Sequence, residues 1–162
     1  MHNLQIRLKS LPSRPSDFEL VEAALPKVTN GTFLARALWL ALDPFHVGHG
    51  AGGTPGFVRP GDLVPARGVG EVIESRHDVF GVGSVVVLDA GLQHFSVSRG
   101  QHARFVHPGQ TPASTALGIL GSPGMAAYFG LLDLAKLRAG ETLLVSAASN
   151  AAGSMAGQIA ML

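Results

Sequence analysis

Cysteine is absent from all 162 residues. That excludes a disulfide framework and any thiolate metal ligand or thiol nucleophile within these residues. Charge is scarce as well: 14% of residues are Asp, Glu, Lys or Arg, and the formal net charge is +1. The twelve basic residues are scattered from Arg7 to Arg138 instead of being gathered into a run. Such a distribution lacks the electrostatic footprint of a nucleic-acid groove. Aromatics make up 6%, with one Trp and one Tyr. The first ten residues alternate Leu4, Ile6 and Leu8 with polar neighbours, so they lack the continuous apolar core of a secretory signal, and a cytoplasmic protein is expected. Thr142 to Leu162 carries no charged residue and spaces Gly153 and Gly157 as GxxxG, which invites a membrane reading. Its Ala and Ser content, with Asn150 and Gln158 inside it, argues against a span, and no membrane partner is expected.

What is present in quantity is hydrophobic sequence, 46% of the chain, enough for a buried core and one domain plus a fragment. Up to about residue 100 the apolar residues come in short alternating runs: Leu4–Lys9, Phe18–Glu22, Thr32–Leu42, Gly68–Ser75, Ser84–Asp89 and His94–Val97. Short strands at such intervals predict an antiparallel barrel or sandwich. Asn30-Gly31 marks a turn, Asp43-Pro44 ends a strand, and Gly48–Gly61, with six glycines and two prolines, reads as a loop.

The texture changes after Pro112. Thr111 or Ser114 is positioned to cap a helix through Leu120, Pro123-Gly124 interrupts it, and Met125, Tyr128, Phe129, Leu132 and Leu137 resume a helical spacing. Thr142–Ser146 is then a nearly continuous apolar run, the form of a strand buried on both faces of a parallel sheet. A small-residue helix follows and runs to Leu162. The expected organisation is a mainly β domain over 1–110, connecting helices over 111–140, and over 141–162 the first strand, turn and helix of an α/β domain.

That last junction is where chemistry is expected. In a dinucleotide-binding unit the turn after the first strand, with the positive end of the next helix, holds the cofactor pyrophosphate, and small residues let the backbone approach. G-x-G-x-x-G is missing here; the nearest match is Ala148-Ser149-Asn150-Ala151-Ala152-Gly153, with Gly157 one helical turn later. Asn150 stands where glycine is ideal, and asparagine is the non-glycine residue that best tolerates a left-handed backbone.

The other chemically tempting residues have plainer explanations. His46 with His49, and His102 with His107, have ligand-like spacing, but zinc needs three or four convergent donors and no metal site is expected. Trp39, among Leu38, Leu40 and Leu42, and Tyr128, on an apolar helical face, are expected to pack. Asp133 reads as a solvated or capping carboxylate, and no general acid or base is assigned.

Taken in order, Asp17–Glu22, Leu40–Phe45, Val69–Ser75, Leu117–Gly124, Ala127–Asp133 and Val145–Ala148 together resemble the prostaglandin reductase, or leukotriene B4 dehydrogenase, group of the zinc-free medium-chain dehydrogenase/reductases. The resemblance covers the whole chain. It implies a GroES-like barrel followed by a Rossmann domain, here represented by its opening strand, turn and helix. It further implies NADPH as reductant and metal-free reduction of the carbon–carbon double bond of small-molecule enones and enals. In that chemistry hydride reaches the β-carbon, hydrogen-bond donors hold the resulting enolate, and the α-carbon is protonated. Carried over by position, Asn150, Ala151, Ala152 and Gly153 fall on the cofactor's phosphate turn. Ser122 and Ala126 fall near the nicotinamide, where the group commonly has methionine and threonine. Pro44 falls on the cofactor side of the cleft wall and Phe45 on the substrate side. Two alternatives stand beside this reading: a quinone oxidoreductase of the same superfamily, and a non-catalytic GroES-like binding module. The ribose selector of such a unit is expected roughly 20 residues beyond the turn, a distance not reached within these 162 residues, so the chain alone is expected to bind NADPH weakly and to turn over negligibly. A homodimer is expected to form through the remainder of the cofactor domain.

Overall fold

A computed structural model describes residues 2–10, 15–42, 58–107, 109 and 111–162. Pro44, Phe45, His46, His49 and most of the glycine-rich loop lie outside the described residues. The chain divides into two compact units, Met1–Pro108 and Gly109–Leu162.

In the first unit, β1 (His2–Leu8) pairs with β2 (Phe18–Ala24) in register from His2↔Ala24 to Leu8↔Phe18. The remaining strands are β3 (Phe33–Leu40), β4 (Arg67–Ser75), β5 (Val85–Asp89), β6 (Phe95–Ser98) and β7 (Arg104–Phe105). They form an antiparallel sheet in the order β6-β3-β4-β5-β7. Each of the six expected strands appears within two residues of its expected ends; β7, too short to show a period, was not expected. Where a barrel or sandwich is expected, the regular ladders among the described residues make two open sheets. β1 is tied to the chain beside the larger sheet by isolated bridges, Gln5↔Gln93 and Arg7↔Leu63.

The side chains account for the sheet. Phe33, Ala35, Val72, Phe80, Val86, Leu88 and Ala90 form one buried cluster, with Leu40 and Ala103 packed against it. Burying a residue such as Phe33 completely contributes about 2–3 kcal/mol. Its ring lies 5.0 Å from that of Phe80, which in turn lies 5.0 Å from Phe105 on β7. Trp39 departs from expectation: it is 55% exposed. The β3–β4 register shifts between Ala37 and Trp39, and an extra residue in one strand breaks the alternation that would have turned the indole inward.

The second unit is helical and less regular than its sequence suggested. A 3-10 turn spans Ala113–Leu117 with Pro112 at its N-cap, and neither Thr111 nor Ser114 caps it. The Thr115 hydroxyl donates instead to the Pro112 carbonyl at 2.7 Å. Pro123-Gly124 does not interrupt a helix; it opens one. Helix α1 (Ser122–Tyr128) has proline in its first turn, where the missing N–H would have had no partner in any case. A π-helical turn, Phe129–Leu134, continues it. Gly124, Ala127 and Leu131 form the buried side, whereas Met125, Tyr128 and Phe129 are about half exposed. The apolar stripe expected to pack therefore faces outward in this unit.

Thr142–Ser146, expected to be the first parallel strand, forms no strand among the described residues. A parallel strand is held by neighbours on either side, and the second unit contains no other strand among the described residues. Helix α2 (Ala151–Ile159) forms where expected and packs against α1. Among the described residues no helix is long and apolar enough to cross a membrane.

Candidate cofactor-binding site

The turn into α2 is built almost wholly from small residues. Ala147 takes the left-handed backbone conformation, φ 50°, and its carbonyl accepts from the Asn150 amide at 3.0 Å. Asn150 itself is extended (φ −79°, ψ 169°) and serves as the N-cap of α2. Left-handed backbone was expected at Asn150; the turn reverses at Ala147 instead, and Asn150 is spent on capping. Its Oδ1 accepts from the Gly153 amide at 2.7 Å, and its backbone carbonyl accepts from the Ser154 amide at 2.9 Å.

Gly153 is buried, and a Cβ there would stand 2.5 Å from the Ala147 oxygen and 2.9 Å from the Ala148 Cα. Glycine is thus what allows the helix to come down onto the turn. The amides of Ala151 and Ala152 open the helix and have no hydrogen-bond partner among the described residues. No acidic side chain occupies this first turn. Two free N–H groups at the positive end of a helix are suited to an anion.

Ser122 and Ala126 are exposed and one turn apart on α1, so they share a face of a helix that packs on α2. The structure therefore brings Asn150, Ala151, Ala152 and Gly153 together in one turn and sets Ser122 and Ala126 on the neighbouring helix. Pro44 and Phe45 lie outside the described residues. What the sequence reading missed was the capping role of Asn150. An Asn three residues ahead of Gly153, just before a helical run, is an N-cap signal and was available to find it.

His102 and His107 join no metal-ligand set among the described residues, and His46 and His49 lie outside them. His102, itself at φ 59°, places Nδ1 3.4 Å from Asp89 Oδ2, and Arg67 reaches the other Asp89 oxygen at 2.7 Å. Among the described residues no three of His, Cys, Asp and Glu come together.

This combination of antiparallel sheets ahead of a helix-capped turn of small residues matches a known class. Residues 3–106 match the family model described as the N-terminal domain of oxidoreductase, and the chain belongs to that family. Over 150 residues it is 40% identical to prostaglandin reductase 1 of Bos taurus, covering 91% of this chain and 44% of that protein. It is 36% identical over 153 residues to the NADPH-dependent curcumin reductase of Escherichia coli, again covering 91% and 44%. Among solved structures, CurA from Vibrio vulnificus in complex with NADPH superposes with a TM-score of 0.86 at 33% identity, over 98% of this chain and 48% of that one. The chain thus spans about half the length of the relatives it matches, and its open sheets fit the GroES-like N-terminal domain of the medium-chain dehydrogenase/reductases.

Proposed function

We propose that the chain supplies the N-terminal part of an NADPH-dependent, metal-free oxidoreductase that reduces the carbon–carbon double bond of α,β-unsaturated ketones and aldehydes, and that 141–162 opens its Rossmann cofactor domain. The observation that carries this reading is the turn of small residues from Ala147 to Gly153, in a chain 40% identical to a prostaglandin reductase over 150 residues.

The backbone of the turn suits the cofactor at two points. The Ala151 and Ala152 amides are free to donate to pyrophosphate oxygens, and Gly153 removes the side chain that would push α2 away. At a third point the Asn150 carboxamide already holds the Gly153 amide. NADPH, when bound, supplies the hydride. The chain's own part is to hold the diphosphate at the start of α2 and to border the nicotinamide with Ser122 and Ala126. Pro44 and Phe45 are assigned to the cleft wall on the resemblance alone. A cytoplasmic setting and a homodimer through the remainder of the cofactor domain belong to the same proposal. The non-catalytic module remains as a second reading because of the Asn150 contact, which is unfavourable to a phosphate.

The test is an NADPH fluorescence titration of the 162-residue chain beside the same chain joined to the C-terminal half of the E. coli curcumin reductase. The expected outcome is weak or no binding by the chain and clear binding by the joined protein, which should then oxidise NADPH with an enone in preference to a quinone. Absence of binding in both supports the module instead.

A further inference from the structure

The contact at the head of α2 has a consequence for affinity. In a helix N-terminus that receives a phosphate, the forward amides must be free to donate to it. Here three such amides, those of Ala151, Ala152 and Gly153, lie in succession, and the third is occupied by the chain itself through a 2.7 Å bond to Asn150 Oδ1. The carboxamide reaches it without strain, because Asn150 sits in the extended conformation usual for an N-cap. The bond closes a local ring of backbone and side chain and needs no other residue.

We propose that Asn150 is an affinity-setting residue that acts as an internal stand-in for a phosphate oxygen: its carboxamide caps α2 in the free protein and must leave the Gly153 amide before a diphosphate can engage all three donors. The inference rests on the cofactor reading above and adds that this turn is tuned against tight binding. Asn150 positions no reacting atom; it sets how much of the helix terminus is open. Two properties of the free protein follow. The Gly153 amide is hydrogen-bonded, while those of Ala151 and Ala152 have no partner among the described residues. Replacing Asn150 with glycine frees that donor at little cost to the helix, since glycine is itself a tolerable N-cap, whereas alanine is a poor one.

Two measurements test this, one of which needs no cofactor. Amide hydrogen exchange on the 162-residue chain should show Gly153 protected relative to Ala151 and Ala152, with that protection lost in Asn150→Gly. Equal exchange at all three positions in the unsubstituted chain overturns the cap and the inference with it. NADPH titration is then run on the joined protein. Asn150→Gly should bind about three- to tenfold more tightly, the scale of one regained hydrogen bond to an anion. Asn150→Ser, which keeps a capping oxygen, should stay near the unsubstituted affinity. An Asn150→Gly affinity equal to or below that of the unsubstituted protein overturns the inference while leaving the cofactor reading in place. If neither binds, the cofactor reading fails, and the proposed competition fails with it, whatever the exchange data show about the cap.

Discussion

Asn3 is fully buried, and its carboxamide works as a peptide group inserted between strands. Oδ1 accepts from the Phe95 amide at 2.9 Å, and Nδ2 donates to the Phe95 carbonyl at 2.9 Å and to Gln93 Oε1 at 3.0 Å. Gln93 in turn donates to the Ala90 carbonyl at 2.8 Å and accepts from Gln5. These bonds tie β1 to the segment leading into β6, where the regular ladders leave a gap. Asn3→Ala strips two backbone groups of these partners and leaves a void, so a loss of about 2–4 kcal/mol is expected in urea unfolding. Asn3→Asp should cost at least as much at neutral pH, because a buried carboxylate cannot donate to the Phe95 carbonyl. A loss below about 0.5 kcal/mol for Asn3→Ala would show that water replaces the carboxamide. None of this was legible in the sequence, where Asn3 is one polar residue in an alternating strand; its partner lies 92 positions away. The sites of special backbone were hidden for a related reason. Asn150 carried the residue type that tolerates a left-handed turn, yet the strain falls on Ala147, because a cap must be extended to reach forward and the reversal is left to the residues before it.

At the scale of elements, strands were read well and helices less well, and the difference lies in what each pattern reports. Alternation in Gly68–Ser75 or Ser84–Asp89 reflects which face meets a core supplied within the first unit, so the strands appear where the pattern places them. The stripe Met125, Tyr128, Phe129 and Leu132 pointed to a helix over Met125–Leu137. The helical stretch starts three residues earlier, turns π-helical at Phe129 and ends at Leu134, and the packed face is the other one, that of Gly124, Ala127 and Leu131. Close approach decides that face: a Cβ on Gly124 would collide with the Ile119 carbonyl. The same reasoning separates the two glycines of α2. A Cβ on Gly153 meets the Ala147 oxygen at 2.5 Å, whereas a Cβ on Gly157 meets nothing within 4 Å. Gly157→Ala should therefore stabilise the chain by about 0.5–1 kcal/mol through helix propensity. Gly153→Ala should lose about 1–3 kcal/mol by overpacking and should weaken NADPH binding in the joined protein. Opposite signs in thermal unfolding bear out the geometry of the turn. A stabilising Gly153→Ala contradicts it.

For the whole molecule the informative fact is a difference between pattern and exposure. Thr142–Ser146 reads as a strand buried on both faces, yet Leu144 is 94% exposed and pairs with nothing among the described residues. Both statements hold if burial of this segment comes from strands and helices that the relatives possess in the remainder of their length, since the chain covers only 44% of the bovine protein. A central parallel strand owes its stability to neighbours on each side, so a side chain there changes its energetic role when the neighbours arrive. Leu144→Gln should accordingly shift the stability of the 162-residue chain by no more than about 0.5 kcal/mol, as at an ordinary exposed position. In the joined protein the same substitution should cost about 2–5 kcal/mol, because a leucine packed on both sides is replaced by a buried amide with few partners. Urea unfolding of the four proteins gives both numbers. If Leu144→Gln is equally mild in both contexts, 142–146 is not the first strand of a cofactor domain, and the Rossmann assignment of 141–162 fails even if the sheets of the first unit behave as described. A large cost confined to the joined protein places this strand at the centre of the completed sheet, where the turn from Ala147 to Gly153 would sit at its carboxyl end, the position at which α/β sheets bind their ligands.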